Sequence, residues 1–169
     1  PILLGMPPVR PLGSGGTVGV PTLTPQLWEH LERGGITDIA GVWSFCSQLM
    51  VVIALKQRYP GHANQALLTA AGFRHGDMKA LYVTVDDDID PSNMQEVVWA
   101  ITTRCDPGRQ VEIIRHAWTA GLDPRVSPVQ REAGEMTAGR MLIDACRPFA
   151  WREKFPKSNV FSAQERKAV

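Results

Sequence analysis

The sequence predicts an α/β fold: an open, mostly parallel sheet with flanking helices, built from tandem strand-helix-strand units and preceded by an extended Pro/Gly-rich N-terminal arm. Three observations predict it. Residues 49–55 (LMVVIAL) and 81–85 (LYVTV) are short aliphatic runs of the kind found in strands covered on both faces. Each is followed by a chain break and then by a segment with helical apolar spacing. A third apolar run, 111–114, comes after the second of these helices, and strand-helix-strand stretches of this length imply right-handed crossovers and parallel pairing.

The elements follow in order. Residues 1–21 hold five Pro and five Gly with no sustained period, which favours an extended arm on a partner or parent domain. Thr24 and Pro25 form an N-cap and first-turn pair for a helix whose Leu27, Trp28 and Leu31 share a face and which Gly34-Gly35 closes. Residues 36–45 read as irregular and apolar. The first strand, 49–55, ends before Pro60-Gly61, and residues 62–72 form a small-residue helix able to approach a sheet closely, with Gly72 after its end. After the second strand, Asp90-Pro91 starts another helix, with Ser92 to Gln95 as an alternative capping box. Met94, Val97, Val98 and Ile101 supply its apolar stripe, and Asp106-Pro107-Gly108 stops it. Residues 118–138 read as loop, 140–144 as a short strand, and the rest as a polar tail with a helix at 162–167. The expected organisation is an arm over 1–21, an α/β domain over 22–150 and a tail over 151–169.

Composition narrows the function. A chain of 169 residues with 44% hydrophobic residues and five Trp can bury one ordinary core. Eighteen basic and 17 acidic residues leave a net charge of +1, which supplies no field for nucleic acid or an anionic membrane surface. No apolar run is long enough to cross a bilayer, and no signal-peptide pattern is visible, so a cytoplasmic location is the default. Cys46, Cys105 and Cys146 are odd in number and lack metal-ligand spacing, and are expected to be buried structural thiols.

Several residues invite chemical roles. Asp86, Asp87, Asp88 and Asp90 cluster at a strand end, as hard-cation ligands do, but an acidic strand-to-helix turn also serves N-capping and the helix dipole, and the spacing completes no EF-hand. The expectation is therefore no metal site. Gly13-Ser14-Gly15-Gly16 lacks the strand and the Gly-Lys-Ser/Thr ending of a phosphate loop and reads as linker. His62 sits at a helix start with no visible partner and reads as structural; His30, His75 and His116 are isolated.

Asp87-Asp88-Ile89-Asp90, Val98-Trp99-Ala100 and Thr103-Arg104-Cys105-Asp106-Pro107, in that order, resemble the C-terminal domain of UbiD-type decarboxylases. Lys56-Gln57-Arg58-Tyr59-Pro60-Gly61-His62-Ala63 upstream agrees, as do Leu122-Asp123-Pro124 and Ile143-Asp144-Ala145-Cys146-Arg147-Pro148 downstream. The resemblance implies non-oxidative removal of carbon dioxide from an aromatic, heteroaromatic or α,β-unsaturated carboxylic acid. It implies prenylated FMN with a divalent metal and K+ as cofactors, and assembly into dimers or hexamers. In that family the flavin and metal ligands and the catalytic Glu-Arg-Glu set lie mainly in an N-terminal domain, so the chain reads as a C-terminal piece. It would hold no catalytic residue of its own and would partner that domain, cover the substrate cleft and contact other subunits. The resemblance places Lys79 near the flavin phosphate and Leu122 on a wall of the substrate pocket. Glu135-Met136-Thr137-Ala138-Gly139 is similar to a string holding one family glutamate, but its position after Thr103–Pro107 argues that the match is chance. Two other classes stay open: a stand-alone regulatory or assembly module without catalysis, and an unrelated metal-dependent enzyme built on the Asp cluster.

Overall fold

The computed structural model describes residues 20–46, 49–73, 80–121 and 123–157, with side chains from Thr24 onward. Ten elements follow: α1 (Val20–Arg33), β1 (Ile39–Phe45), β2 (Met50–Leu55), α2 (His62–Ala71), β3 (Leu81–Asp86), α3 (Met94–Arg104), β4 (Val111–Trp118), α4 (Pro128–Glu132), β5 (Thr137–Asp144) and a 3-10 helix, Phe149–Lys154. The strands form one open sheet in the order β1-β2-β3-β5-β4. β2, β3 and β5 run parallel, and β1 and β4 are antiparallel edges.

The sheet is covered on both faces. On one, Leu27 and Leu31 of α1 and Ala66, Leu67, Ala70 and Ala71 of α2 meet Val51, Ile53, Leu55, Tyr82 and Leu142. On the other, Val97 and Ala100 of α3 meet Val52, Ala54, Val83, Val85 and Ile143. The small residues of α2 let it lie close to the sheet, and α1 approaches α2 closely in turn. A Cβ built on Gly34 would stand 2.6 Å from Thr69 Cγ2, so only glycine fits there without a shift. Burial of this two-sided aliphatic surface, at about 25 cal/mol per Å² of apolar area, is the main force holding the layers together.

The open, mostly parallel α/β sheet is as expected, and β2-α2-β3 is the parallel crossover unit read from the sequence. The second unit differs. β3 and β4 are not neighbours, because β5 lies between them and pairs parallel with β3 and antiparallel with β4. Residues 36–45, expected to be irregular, contain edge strand β1. Residues 118–138 contain α4, whose Ser127 and Gln130 form a capping box, and the start of β5. Helix α1 begins at Val20 rather than at Thr24-Pro25, and Pro25 lies within it. Helix α3 begins later than Asp90-Pro91, and its N-cap is Asn93, whose side chain accepts the Gln95 N–H. Its buried side is Val97, Ala100 and Arg104, while Val98 is 47% exposed. Of the arm expected over 1–21, residues 20 and 21 belong to α1, and the 3-10 helix Phe149–Lys154 crosses the expected start of the tail at 151. Residues 1–19 with the Gly13–Gly16 linker, His75 and the tail helix at 162–167 lie outside the described residues.

Candidate functional site

The two ends of the parallel strands carry different chemistry. At the carboxyl end, Asp86 closes β3 and is 3% exposed. It accepts hydrogen bonds from Gln57 Nε2 (3.0 Å), Arg104 Nη1 (2.8 Å), the Arg147 backbone N–H (2.7 Å) and Arg147 Nε (3.1 Å). Arg104 also donates to both oxygens of Asp88, at 2.8 and 2.9 Å. Two carboxylates and two guanidiniums thus join the residues after β2, the end of β3, the end of α3 and the segment after β5. The Arg104 guanidinium lies over the Trp99 ring, 5.1 Å from its centroid. Burial disfavours the charged form of Asp88, but the Arg104 hydrogen bonds and the nearby positive charges outweigh it, and the pKa falls below the usual carboxylate value.

The acidic turn therefore answers arginines rather than the helix dipole, because Asn93 caps α3 and Arg104 reaches back from its last turn. Asp90 turns inward on its own loop, where Oδ1 accepts from the Ser92 N–H and hydroxyl at 2.8 and 2.7 Å. Among the described residues, no group of three or more His, Cys, Asp or Glu side chains is arranged to hold a metal ion. The donor set of a metal-dependent site does not fit here. Beside the network, a cavity of about 510 Å³ is walled by Cys105, Asp144, Trp151 and Phe155. Burial raises the pKa of the Asp144 carboxyl and of the Cys105 thiol.

The thiols are not uniformly buried as expected. Cys46 is exposed, Cys105 is half-buried and only Cys146 is buried. Cys46 follows β1 with a positive φ of 52°, so it sits in a turn rather than under the sheet.

At the amino end of the parallel strands, Lys79 and Leu122 themselves lie outside the described residues, but their neighbours come together. The Met141 N–H donates to Ala80 O at 2.8 Å, and Arg125 Nη1 donates to Gly139 O at 2.8 Å. The segments that follow both positions therefore reach β5 within three consecutive residues. Between them Arg140, 8% exposed, donates to Ala71 O and, at 2.8 Å, to Trp118 O, which ties the end of α2 to the end of β4. Asp123 is 1% exposed and accepts from Thr119 Oγ1 (2.6 Å) and from Nε and Nη2 of Arg125 (2.9 and 2.6 Å). Burial opposes its ionisation, yet those hydrogen bonds hold its pKa below the usual value. Arg125 and Arg140 were not singled out from sequence; the spacing from Asp123 to Arg125 was the available signal for the first.

His62 is fully buried, its Nδ1 accepts the Arg58 N–H at 3.3 Å, and its ring stacks on Tyr59 at 4.6 Å. Burial lowers its pKa, which keeps the ring neutral. His30 Nε2 lies 3.1 Å from Thr69 O, so His30 joins α1 to α2. His116 is exposed on β4, and Glu135 is exposed in the turn that enters β5.

A family model described as the 3-octaprenyl-4-hydroxybenzoate carboxy-lyase C-terminal domain matches residues 16–145. The chain belongs to this family, the UbiD family. A protein from Aeropyrum pernix, described as uncharacterized, is 36% identical over 77 residues, covering 46% of this chain and 16% of that protein. Solved structures share the fold. Apo 3,4-dihydroxybenzoic acid decarboxylase (AroY) from Klebsiella pneumoniae is 20% identical with a TM-score of 0.76, covering 93% of this chain and 34% of that one. The UbiD-class enzyme HmfF from Pelotomaculum thermopropionicum, solved with FMN, is 24% identical with a TM-score of 0.69, covering 82% and 30%. Vanillic acid decarboxylase from Sedimentibacter hydroxybenzoicus, solved in open and closed forms, is 23% and 24% identical in the two, with TM-scores of 0.73 and 0.72; the alignments cover 94% and 90% of this chain and 33% and 32% of the decarboxylase chain. The UbiD-family chain described here thus spans about a third of the length of these solved relatives and 16% of the Aeropyrum protein.

Proposed function

We propose that the chain is the C-terminal domain, as fragment or small subunit, of a UbiD-like decarboxylase acting on an aromatic, heteroaromatic or α,β-unsaturated carboxylic acid with prenylated FMN. Its part is to cover the substrate cleft and to make contacts with the N-terminal catalytic domain and with other subunits. The observation that carries this reading is the convergence at one sheet end of the segments bordering Lys79 and Leu122, the two positions the family resemblance places near flavin phosphate and substrate. Arg140 and the Asp123–Arg125 pair hold that end rigid, which is what a surface that closes over a ligand requires.

The metal, K+ and most of the flavin contacts are assigned to the N-terminal catalytic domain, with Lys79 as this chain's contribution near the flavin phosphate. When bound, the modified flavin supplies an electron sink for the loss of carbon dioxide. This chain contributes shape, orientation and water exclusion.

A row of large apolar side chains supports the contact role. Phe45, Met50, Leu81, Met141 and Ile113 are register partners across all five strands. Phe45, Met50 and Leu81 are half-buried against the core on the α3 side, and the row continues from them onto exposed sheet. Met141 is 40% and Ile113 57% exposed. A row of this kind at a sheet surface fits burial against another domain or subunit.

The test is carbon dioxide release by the intact natural polypeptide containing these residues, reconstituted with prenylated FMN and offered a panel of such acids. Turnover of at least one acid is expected. A flavin-loaded protein that turns over none of them would overturn the assignment.

A further inference from the structure

We propose that the β4 bulge at Arg115 and His116 builds a binding site for a phosphate group, either free phosphate or the phosphoryl end of a phosphomonoester. The inference does not depend on the decarboxylase reading. Register along β4 and β5 breaks between Ile114, opposite Arg140, and Ala117, opposite Ala138, so two residues of β4 face Gly139 alone. A bulge of this type re-aims the side chains that it carries. Within it His116 has φ 57°, a left-handed conformation that is costly for a side-chain-bearing residue inside a strand.

The bulge opens onto a groove of about 300 Å³ lined by Arg115, His116, Gln130, Thr137, Ala138 and Gly139. Its polar lining is rich in donors. Arg115 and His116 are exposed and have no hydrogen-bond or ion-pair partner among the described residues, and the same is true of the Thr137 hydroxyl. Gln130 is oriented by the cap of α4: its Oε1 accepts from the Ser127 N–H (3.0 Å) and hydroxyl (2.9 Å), and its amide N–H groups have no partner among the described residues. Gly139 adds no side chain to fill the space. No carboxylate lines the groove, and the buried carboxylate of Asp123, which precedes α4, is engaged by Thr119 and Arg125.

A guanidinium, an imidazole, a hydroxyl and a primary amide, drawn from two strands and a helix, offer more donors than the two oxygens of a carboxylate need. They match the three terminal oxygens of a phosphoryl group, for which charge-assisted bonds from an arginine fork are the strongest available.

The test is titration of the full 169-residue chain, followed by amide chemical shifts and calorimetry, with inorganic phosphate, riboflavin 5′-phosphate and benzoate as separate probes. Saturable binding of inorganic phosphate that moves the amides of residues 115, 116, 130 and 137–139 is expected, with affinity falling about tenfold in Arg115→Gln and in His116→Asn. Asparagine tolerates the left-handed backbone, so His116→Asn withdraws the longer reach of the imidazole N–H, leaving a shorter amide, without disturbing the fold. Arg109→Gln, at a guanidinium 86% exposed elsewhere on the surface, should leave the affinity unchanged. Tighter binding of riboflavin 5′-phosphate at the same residues would extend the site to the attached ring. Absence of saturation by either phosphate, equal loss in all three variants, or tighter binding of benzoate at these residues would overturn the proposal.

Discussion

Arg104 Nη1 lies 2.8 Å from Asp86 Oδ2, with the two side chains 2% and 5% exposed. This pair joins the last turn of α3 to the end of β3, and through the other acceptor contacts of Asp86 it also holds Gln57 and Arg147. Buried charges of this kind are tolerated because each is met by several hydrogen bonds, and they become costly when one side is removed.

Arg104→Met should therefore destabilise the chain strongly. Asp86 would keep Gln57 and Arg147 but lose its most buried counter-charge, and a loss of about 3 kcal/mol is expected. Urea denaturation checks it; a midpoint within error of the parent would show that the other two partners suffice.

The pH dependence follows from the lowered pKa values of Asp88 and Asp123. A carboxylate whose folded-state pKa lies below its unfolded value, about 3.9, contributes stability fully present above that value and lost as pH falls through the folded pKa. Thermal midpoints should drop below about pH 4. Asp88→Asn should lower the midpoint at pH 6 and flatten the acid limb, so that variant and parent converge near the acid extreme. Parallel curves throughout the titration would contradict the linkage.

Relieving the strain at His116 should stabilise the fold. Glycine avoids a left-handed penalty of about 1–2 kcal/mol while adding about 0.5–1 kcal/mol of chain entropy to the unfolded state, so His116→Gly should gain up to about 1 kcal/mol. The same substitution should abolish the histidine share of phosphate affinity. A destabilised His116→Gly would mean that the imidazole contributes packing that outweighs the strain.

The apolar row makes a separate prediction. Ile113→Glu should change the stability of the chain itself by no more than about 0.5 kcal/mol, because that side chain is more than half exposed. In the intact enzyme it should weaken domain or subunit association, read by light scattering and by activity. Unchanged assembly and activity would remove the row from the interface.

Much of the fold was legible because its central strands are aliphatic on both faces and its α2 helix is rich in alanine. Edge strand β1 was not, since Trp43 and Phe45 are only half-buried beside buried Val42 and Ser44 and the run has no clean alternation. The neighbours of β4 could not be read locally, because the choice between β3 and β5 is settled by contacts made thirty residues later along the chain. At α3 both Asp90 and Asn93 are good caps. Asp90 instead closes its own turn on Ser92, and Arg104 shares the buried side of the helix with Val97 and Ala100 while Val98 faces out. The family and its acidic segment were visible as strings of residues; the partners of that segment were not, because Arg104 and Arg147 are distant in sequence and arginines are ordinarily surface residues. The donor-lined groove was invisible as well, since a bulge and a left-handed histidine leave no mark in a pattern of period two.

The most direct measurement mixes the 169-residue chain with a separately produced, prenylated-FMN-loaded UbiD catalytic domain and follows carbon dioxide release. The account predicts no turnover by the chain alone, binding of the two parts, and activity of the mixture above that of the catalytic domain alone. Turnover of an unsaturated or aromatic acid by the flavin-supplied chain with nothing added would contradict it.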